Sequence, residues 1–269
     1  MKRIFLLNEC FDADSSAIGG KGAWLARLLA NNIRLPKTLC ISTEAYSAFI
    51  NSQGLSEKIA LELNRKEFKD MRWEEIWDAS LRIRNLFLKT PLPKDLNDEL
   101  SSCVEREFCG MATAVRSSAP EEDHQNSSFA GLHDSFLNIQ GTDTIIHNVK
   151  KVWSSLWSDR ALLYRQELAL SVKNSQMAVV IQELVKGDVS GIFFTQDPVK
   201  TNCMTIEAVY GLNQGLVDGD IEPDRWYLDS STHKILDHMP PQERSRQATV
   251  IRNKLEFSPV PEALKMSHL

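Results

Sequence analysis

The period of the hydrophobic pattern changes at Met111, and that change limits the folds open to this chain. Between about 55 and 108 apolar residues recur at helical spacing. Trp73, Ile76, Trp77, Ser80, Ile83 and Phe87 mark one face of a long helix, Pro91 and Pro93 break it, and Leu96, Leu100, Val104 and Phe108 mark the next. From Met111 the apolar residues come in short runs typical of strands: 111–116, 135–139, 177–185, 189–195, 204–209 and 225–228. One helix is expected among them, from about 142 to 169, with Ile145, Val149, Val152, Trp153, Leu156 and Trp157 inward. Before residue 55 the pattern predicts a first strand near Ile4. A helix follows Gly22 with Leu25, Leu28 and Leu29 inward, then an extended segment from Leu35 to Ile41, then a helix capped by Thr43 and ended by Gly54. Residues 240–269 are polar, weakly patterned and without an evident closing element. Helices and strands are segregated rather than alternating, which predicts an α+β architecture, with the helical stretch as an insert or cap.

A chain of 269 residues suits one large domain or two lobes sharing a cleft. Its net charge of -5 argues against bulk attraction to nucleic acid or anionic lipid, so an anionic ligand must be gathered by a few placed cations. No apolar run approaches the roughly 18 residues of a membrane span, and the N-terminal apolar run is too short for a secretory leader. The five cysteines, Cys10, Cys40, Cys103, Cys109 and Cys203, are odd in number and show no CxxC spacing. Buried free thiols in a reducing cytoplasm are therefore expected, rather than disulfides or zinc.

Three stretches offer chemistry. Gly19-Gly-Lys-Gly22 precedes a helical pattern, where backbone N–H groups and the helix dipole favour an anion and Lys21 adds a mobile charge. The Walker spacing is absent, with Ala23 where Ser or Thr would stand, so a glycine turn with a surface lysine is the competing reading. In Ala114-Val-Arg-Ser-Ser-Ala119, Arg116 leaves a buried strand for a loop, where a guanidinium can grip phosphate through two parallel bonds. Ser117, Ser118, Ser128 and Ser135 offer hydroxyls and Gly131 permits close backbone approach. Against that, Arg116 has Glu121, Glu122 and Asp123 nearby as ordinary surface partners. The run Met177–Val185 ends in Gln182-Glu183, which suits either a hinge whose backbone reads an adenine edge or a plain core strand.

Other candidates are weaker. His124, His133 and His147 lack the spacing of a metal set. A Ser–His–Asp relay around His133-Asp134 lacks the GxSxG context. Asp218, Asp220, Glu222 and Asp224 alternate as in a calcium loop, but the glycine and closing Glu of an EF-hand are missing.

Taken in order, the motifs resemble the N-terminal ATP-binding domain of the phosphoenolpyruvate synthase and pyruvate phosphate dikinase family, which rifampicin phosphotransferase shares. Gly-Gly-Lys-Gly-Ala-x-Leu spans Gly19–Leu25, and Ala-Val-Arg-Ser-Ser-Ala through Ser-Phe-Ala-Gly spans 114–131. Val-Lys-x-x-Trp-x-Ser-Leu spans 149–156, followed by Asp159-Arg160-Ala161. Met-Ala-Val-Val-x-Gln begins at Met177, Val-Ser-Gly-Ile-Phe-Phe-Thr-x-Asp-Pro ends at Pro198, and Ile-Glu-Ala-x-x-Gly-Leu spans 206–212. Gly-x-x-x-Pro-Asp closes the series at Asp224.

The resemblance implies an ATP-grasp fold with ATP clamped between two lobes: 1–180, including the helical insert, and 181–269. It implies Lys21 and Arg116 as phosphate-binding, catalytic cations, and Gly131 and Ser135 as the phosphate loop. Gln182 and the backbone from Glu183 to Val185 would hold adenine. ATP with Mg²⁺ would phosphorylate a carrier histidine on another domain, in the same longer protein or in trans. Two departures stand out. Gly211-Leu-Asn-Gln214 replaces the family's Gly-Leu-Gly-Glu, and the chain is expected to stop before the family's closing metal-binding segment, which would leave no metal ligand among these residues. It would then be a phosphotransferase part that is inactive alone, or a non-catalytic ATP-sensing or interaction module. The acceptor (pyruvate, an antibiotic hydroxyl or a glucan) would be chosen elsewhere.

Overall fold

The computed structural model describes residues 2–120, 131–172, 175–197, 199–251 and 254–265. The chain forms two compact units, Met1–Leu184 and Val185–Leu269.

The first unit contains β1 (Ile4–Leu6), α1 (Ser15–Ala30), β2 (Thr38–Ile41), α2 (Thr43–Ile50), α3 (Leu55–Leu63), α4 (Trp73–Lys89) and α5 (Lys94–Phe108). It continues with β3 (Thr113–Ser118), β4 (Ser135–Ile139), α6 (Thr142–Ser155), α7 (Asp159–Glu167) and β5 (Ala178–Glu183). The five strands form one antiparallel sheet in the order β1-β2-β5-β3-β4. Side chains alternate across a strand, and the sheet divides the interior into two cores. Leu39, Ile41, Val115, Val179 and Ile181 face the helices α2 to α7 in one continuous apolar cluster. Cys40 and Val180 face the opposite way and pack with Ile18 and Ala26 of α1. The 55–108 helices are thus one full layer of the first unit. At its centre, Tyr46, Phe49, Phe87 and Trp153 stack edge-to-face and face-to-face, and the Trp157 indole N–H donates to Tyr46 Oη at 3.1 Å.

Several expectations need correction. Helix α1 starts at Ser15, capped by the Asp14 carboxylate, and is interrupted at Gly19 (φ 71°, ψ 171°) rather than starting after Gly22. Its buried positions are Ile18, Gly22 and Ala26, while Leu25 and Leu29 are half-buried and Leu28 is exposed. Small residues face the sheet because the helix lies close to it: a Cβ at Gly22 would come within 3.4 Å of Cys40 Sγ. Ser42, not Thr43, caps α2, accepting from the Ala45 N–H, and α2 ends at Ile50; Gly54 instead takes a left-handed conformation ahead of α3. On α4, Ile76, Ala79, Ser80, Ile83 and Phe87 are buried but Trp73 and Trp77 are 60% and 50% exposed, so the inward stripe lies one position around from the tryptophans. The single helix expected over 142–169 is two, because Ser158 turns its side chain onto the Ala161 N–H and caps a fresh start. The inward residues expected on it are buried, and so are Leu96, Leu100, Val104 and Phe108 of α5.

The second unit contains β6 (Val189–Phe194), β7 (Cys203–Tyr210), α8 (Gln214–Val217), β8 (Asp224–Asp229), β9 (Ile235–Met239), β10 (Arg246–Ile251), β11 (Lys254–Pro259) and α9 (Glu262–Lys265). Strands β6 to β9 form an antiparallel meander, and β10 and β11 form a separate hairpin. The described residues between 240 and 265 therefore do carry structure. Val260 and Ala248 are buried, and the Tyr210 hydroxyl donates to Leu264 O at 3.1 Å. Asp224 is buried and paired with Arg244 (2.5 and 2.8 Å) and His238 (2.9 Å). Glu222 accepts from the Gln242 N–H and Asp218 from the Gln214 amide, so this acidic series is structural, and no group of three acidic, His or Cys side chains fit for a metal occurs among the described residues. All five thiols are free. Cys10, Cys40 and Cys203 are buried, but Cys103 is only half-buried and Cys109 is exposed.

Candidate functional site

Two motifs nearly a hundred residues apart are locked together. Gly19 sits against the end of β3 in a left-handed conformation, and a Cβ there would run into the Ser118 carbonyl. The Ser118 hydroxyl donates to Ile18 O (2.8 Å) and accepts from the Gly22 N–H (3.2 Å), and the Gly20 N–H reaches Ala119 O (3.4 Å). Ser118 is therefore a latch and not the ligand hydroxyl expected of it. Ser117 is buried and alternates to the opposite face, in register with Val179.

The sheet register assembles the remaining candidates. Arg116 lies opposite Val180 on β5 and Ser135 on β4, and Gln182 lies opposite Ala114 and Thr38. Directly paired residues share a face, so Arg116, Ser135 and Gln182 share the face that carries α1. Lys21 and Arg116 are half-buried, and Gly131 and Ser135 are exposed. Glu121, Glu122, Asp123, His124 and Ser128 lie outside the described residues.

The electrostatics converge on the β3–β4 side. His133 is buried, and its pKa falls from 6.5 to about 4. Burial contributes most, then the charge of Arg165; Lys21 and Arg160 push the same way, while a Ser155 backbone contact opposes them. A neutral imidazole is thus held within reach of three cations. Arg160 pairs with Asp134 at 2.5 Å, and the Asp134 N–H donates to Ser155 Oγ at 3.1 Å. The carboxylate that a Ser–His–Asp relay would need is engaged by Arg160. Arg165 is only 1% exposed and Arg160 is engaged by Asp134, so these two set the charge state of His133 rather than offer themselves to an anion. Arg160 and Ser155 carry no role in the sequence reading, although Asp159-Arg160-Ala161 marks the place, and Asp134 enters it only as the acid of that relay.

At the other end of that face, the Gln182 amide donates to Thr38 Oγ1 (2.9 Å), which donates to Pro36 O (2.8 Å), fixing its orientation. The Glu183 N–H donates to Lys37 O and the Leu184 N–H to Ala112 O, both at 2.8 Å. These two donors are engaged within the first unit, so a base read by this backbone would meet its carbonyls and the Val185 N–H. Val185 itself is exposed.

Comparison with known proteins gives this geometry a family. The family described as pyruvate phosphate dikinase, AMP/ATP-binding domain, matches residues 15–267. The chain is 34% identical over 244 residues to a protein of Methanocaldococcus jannaschii named "Probable phosphoenolpyruvate synthase", covering 88% of this chain and 20% of that protein. It is 34% identical over 227 residues to the phosphoenolpyruvate synthase of Aeropyrum pernix, covering 82% and 28%. It is 35% identical over 221 residues to the rifampicin phosphotransferase of Streptomyces sviceus, covering 81% and 25%. The chain thus spans between a fifth and a third of these relatives. The match runs through both locked motifs, and the chain belongs to the pyruvate phosphate dikinase AMP/ATP-binding domain family.

Proposed function

We propose that this chain is the nucleotide-binding part of an ATP-dependent phosphotransferase of the phosphoenolpyruvate synthase kind, with an ATP-grasp fold. The observation that carries this reading is the lock between the Gly19–Gly22 segment and the end of β3, which fixes the backbone beside Lys21 and Arg116 on one side of the sheet. Lys21 and Arg116 neutralise the phosphates, and the Gly131 backbone with the Ser135 hydroxyl completes the phosphate loop. Gln182, the Glu183 carbonyl and the Val185 N–H hold adenine. Phosphoryl transfer asks a protein mainly for positioning and charge neutralisation, which is what this set of side chains offers. Mg²⁺ accompanies ATP in such chemistry, but the described residues supply no three-ligand metal cluster. The acceptor is a histidine on a separate carrier domain, in the same longer protein or in trans. The site of action is the cytoplasm, in keeping with free thiols, one of them exposed.

The test is calorimetric titration of AMP-PNP, then incubation with γ- and β-labelled ATP. Binding that weakens about 10- to 100-fold in Lys21→Ala and in Arg116→Ala is expected from losing a charge-assisted contact. No binding by the unaltered protein overturns the proposal. Gln214, which stands where the family has Glu and whose amide donates to Asp218, favours a second reading as a non-catalytic ATP-sensing module. ATP binding with no acid-labile phosphohistidine formed, in cis or with an added carrier domain, selects that reading.

A further inference from the structure

A cavity of about 620 Å³ opens in the first unit, on the side of the sheet away from α1. That volume lies within the range of small-molecule sites, which are mostly apolar with a few placed polar groups. Its inner wall is Ile59, Leu63, Trp157 and Val172, all buried, with Phe68 half-buried beside them. The wall is firmly built. Trp157 is tied by its indole N–H to Tyr46, and the Gln166 amide holds the Phe68 turn through Phe68 O (2.6 Å) and Met71 O (2.9 Å). One polar group in the lining has no partner: the Ser175 hydroxyl, in a residue only 5% exposed, makes no hydrogen bond among the described residues. Buried hydroxyls are nearly always hydrogen-bonded, so this one takes its partner from the cavity, a water or a group of a bound molecule. At the exposed rim Glu67 and Lys69 neutralise each other at 2.8 Å, so the entrance carries no net charge.

We propose that this cavity is a second ligand site, for an uncharged aromatic molecule with a single hydroxyl or carbonyl that bonds to Ser175 Oγ. The flat walls of Phe68 and Trp157 take the ring, and the balanced rim gives a charged group no reward for the water it would lose. No residue of the candidate nucleotide site lines it, so this proposal stands whether or not ATP binds.

The probe is 2-naphthol, titrated into the full chain carrying ¹³C-labelled methyl groups and followed by NMR. Saturable shifts are expected at Ile50, Ile59, Leu63 and Val172, with Ile18 and Val180 of the α1 side unmoved, and they persist when AMP-PNP is present. Ser175→Ala weakens binding about five-fold, the loss of one neutral hydrogen bond. Ala60→Trp, at the mouth, abolishes it. Absence of saturable shifts, shifts on both faces of the sheet alike, or an unchanged affinity in Ser175→Ala overturns the proposal. If Ala60→Trp does not fold, Ser175→Ala decides.

Discussion

Gly19 and Gly110 share a backbone angle, φ 71° in both, but differ in their surroundings. A Cβ at Gly110 would meet nothing within 4 Å, whereas at Gly19 it would collide with the Ser118 carbonyl. Replacing each by alanine therefore compares a positive-φ glycine in open space with one held against the end of β3. Gly110→Ala carries only the left-handed penalty, about 1–2 kcal/mol. Gly19→Ala carries a backbone penalty of about 1–3 kcal/mol, because ψ 171° puts it in a region open essentially to glycine alone, and it also forces the loop off Ser118. The contacts at risk are the Ser118 hydroxyl on Ile18 O, the Gly22 N–H on Ser118 Oγ and the Gly20 N–H on Ala119 O. At about 1 kcal/mol each, they bring the total to roughly 4–6 kcal/mol. Urea denaturation followed by circular dichroism reads both variants on one scale. Because the lock fixes the backbone beside Lys21, AMP-PNP affinity falls in Gly19→Ala and stays unchanged in Gly110→Ala. Equal destabilisation of the two variants, with equal nucleotide affinity, refutes the argument that Ser118 is a latch.

Three further outcomes follow from single groups. Burial and Arg165 depress the His133 pKa from 6.5 to about 4, so the unfolded chain takes up this proton first as pH falls. Stability is lost between pH 6.5 and 4 by about 3 kcal/mol, and His133→Gln flattens that part of a melting-temperature profile. Burial raises the Asp224 carboxyl, but Arg244 and His238 outweigh it and hold the pKa below its usual value. The resulting stability is full above pH 4 and disappears in stronger acid, and Asp224→Asn costs about 3–5 kcal/mol in urea denaturation by leaving Arg244 unpaired. Trp157→Phe strands the buried Tyr46 hydroxyl and lowers stability by about 1–3 kcal/mol in the same assay.

Strand and helix positions were legible wherever burial alone sets the pattern. The α5 stripe and the Ser135–Ile139 strand stand as the sequence predicts. What hid was set by closeness rather than greasiness. α1 turns Gly22 and Ala26 inward because it lies against Cys40, and a search for leucines looks at the wrong face. Trp73 and Trp77 carry more hydrophobic weight than Ala79 and Ser80 yet lie outside, off the Ile76, Ile83 and Phe87 stripe that packs into the core. The hairpin of β10 and β11 has one buried side chain, Ala248, and so too little alternation to read. For the site, the sequence named Lys21, Arg116, Ser135 and Gln182. It could not show that Ser118 is engaged by the glycine loop, or that Arg160 and Arg165 gather around His133, because both depend on contacts between distant segments.

Strand order has a consequence for how this protein is made. β5 is the last strand of its sheet to leave the ribosome, yet it lies in the middle, between β2 and β3. Until residue 183 has emerged, β1 with β2 and β3 with β4 are two hairpin-like pairs with no shared edge, and every hydrogen bond that unites them spans long stretches of chain. Such non-local closure is slow, while translation adds about 5–20 residues per second. The nascent chain therefore carries an open β2 edge from residue 41 onward, an open β3 edge as well from residue 118, and an unsealed apolar face until β5 emerges. The segment bearing Gln182, at one end of the candidate site, is also the keystone that ends this exposure.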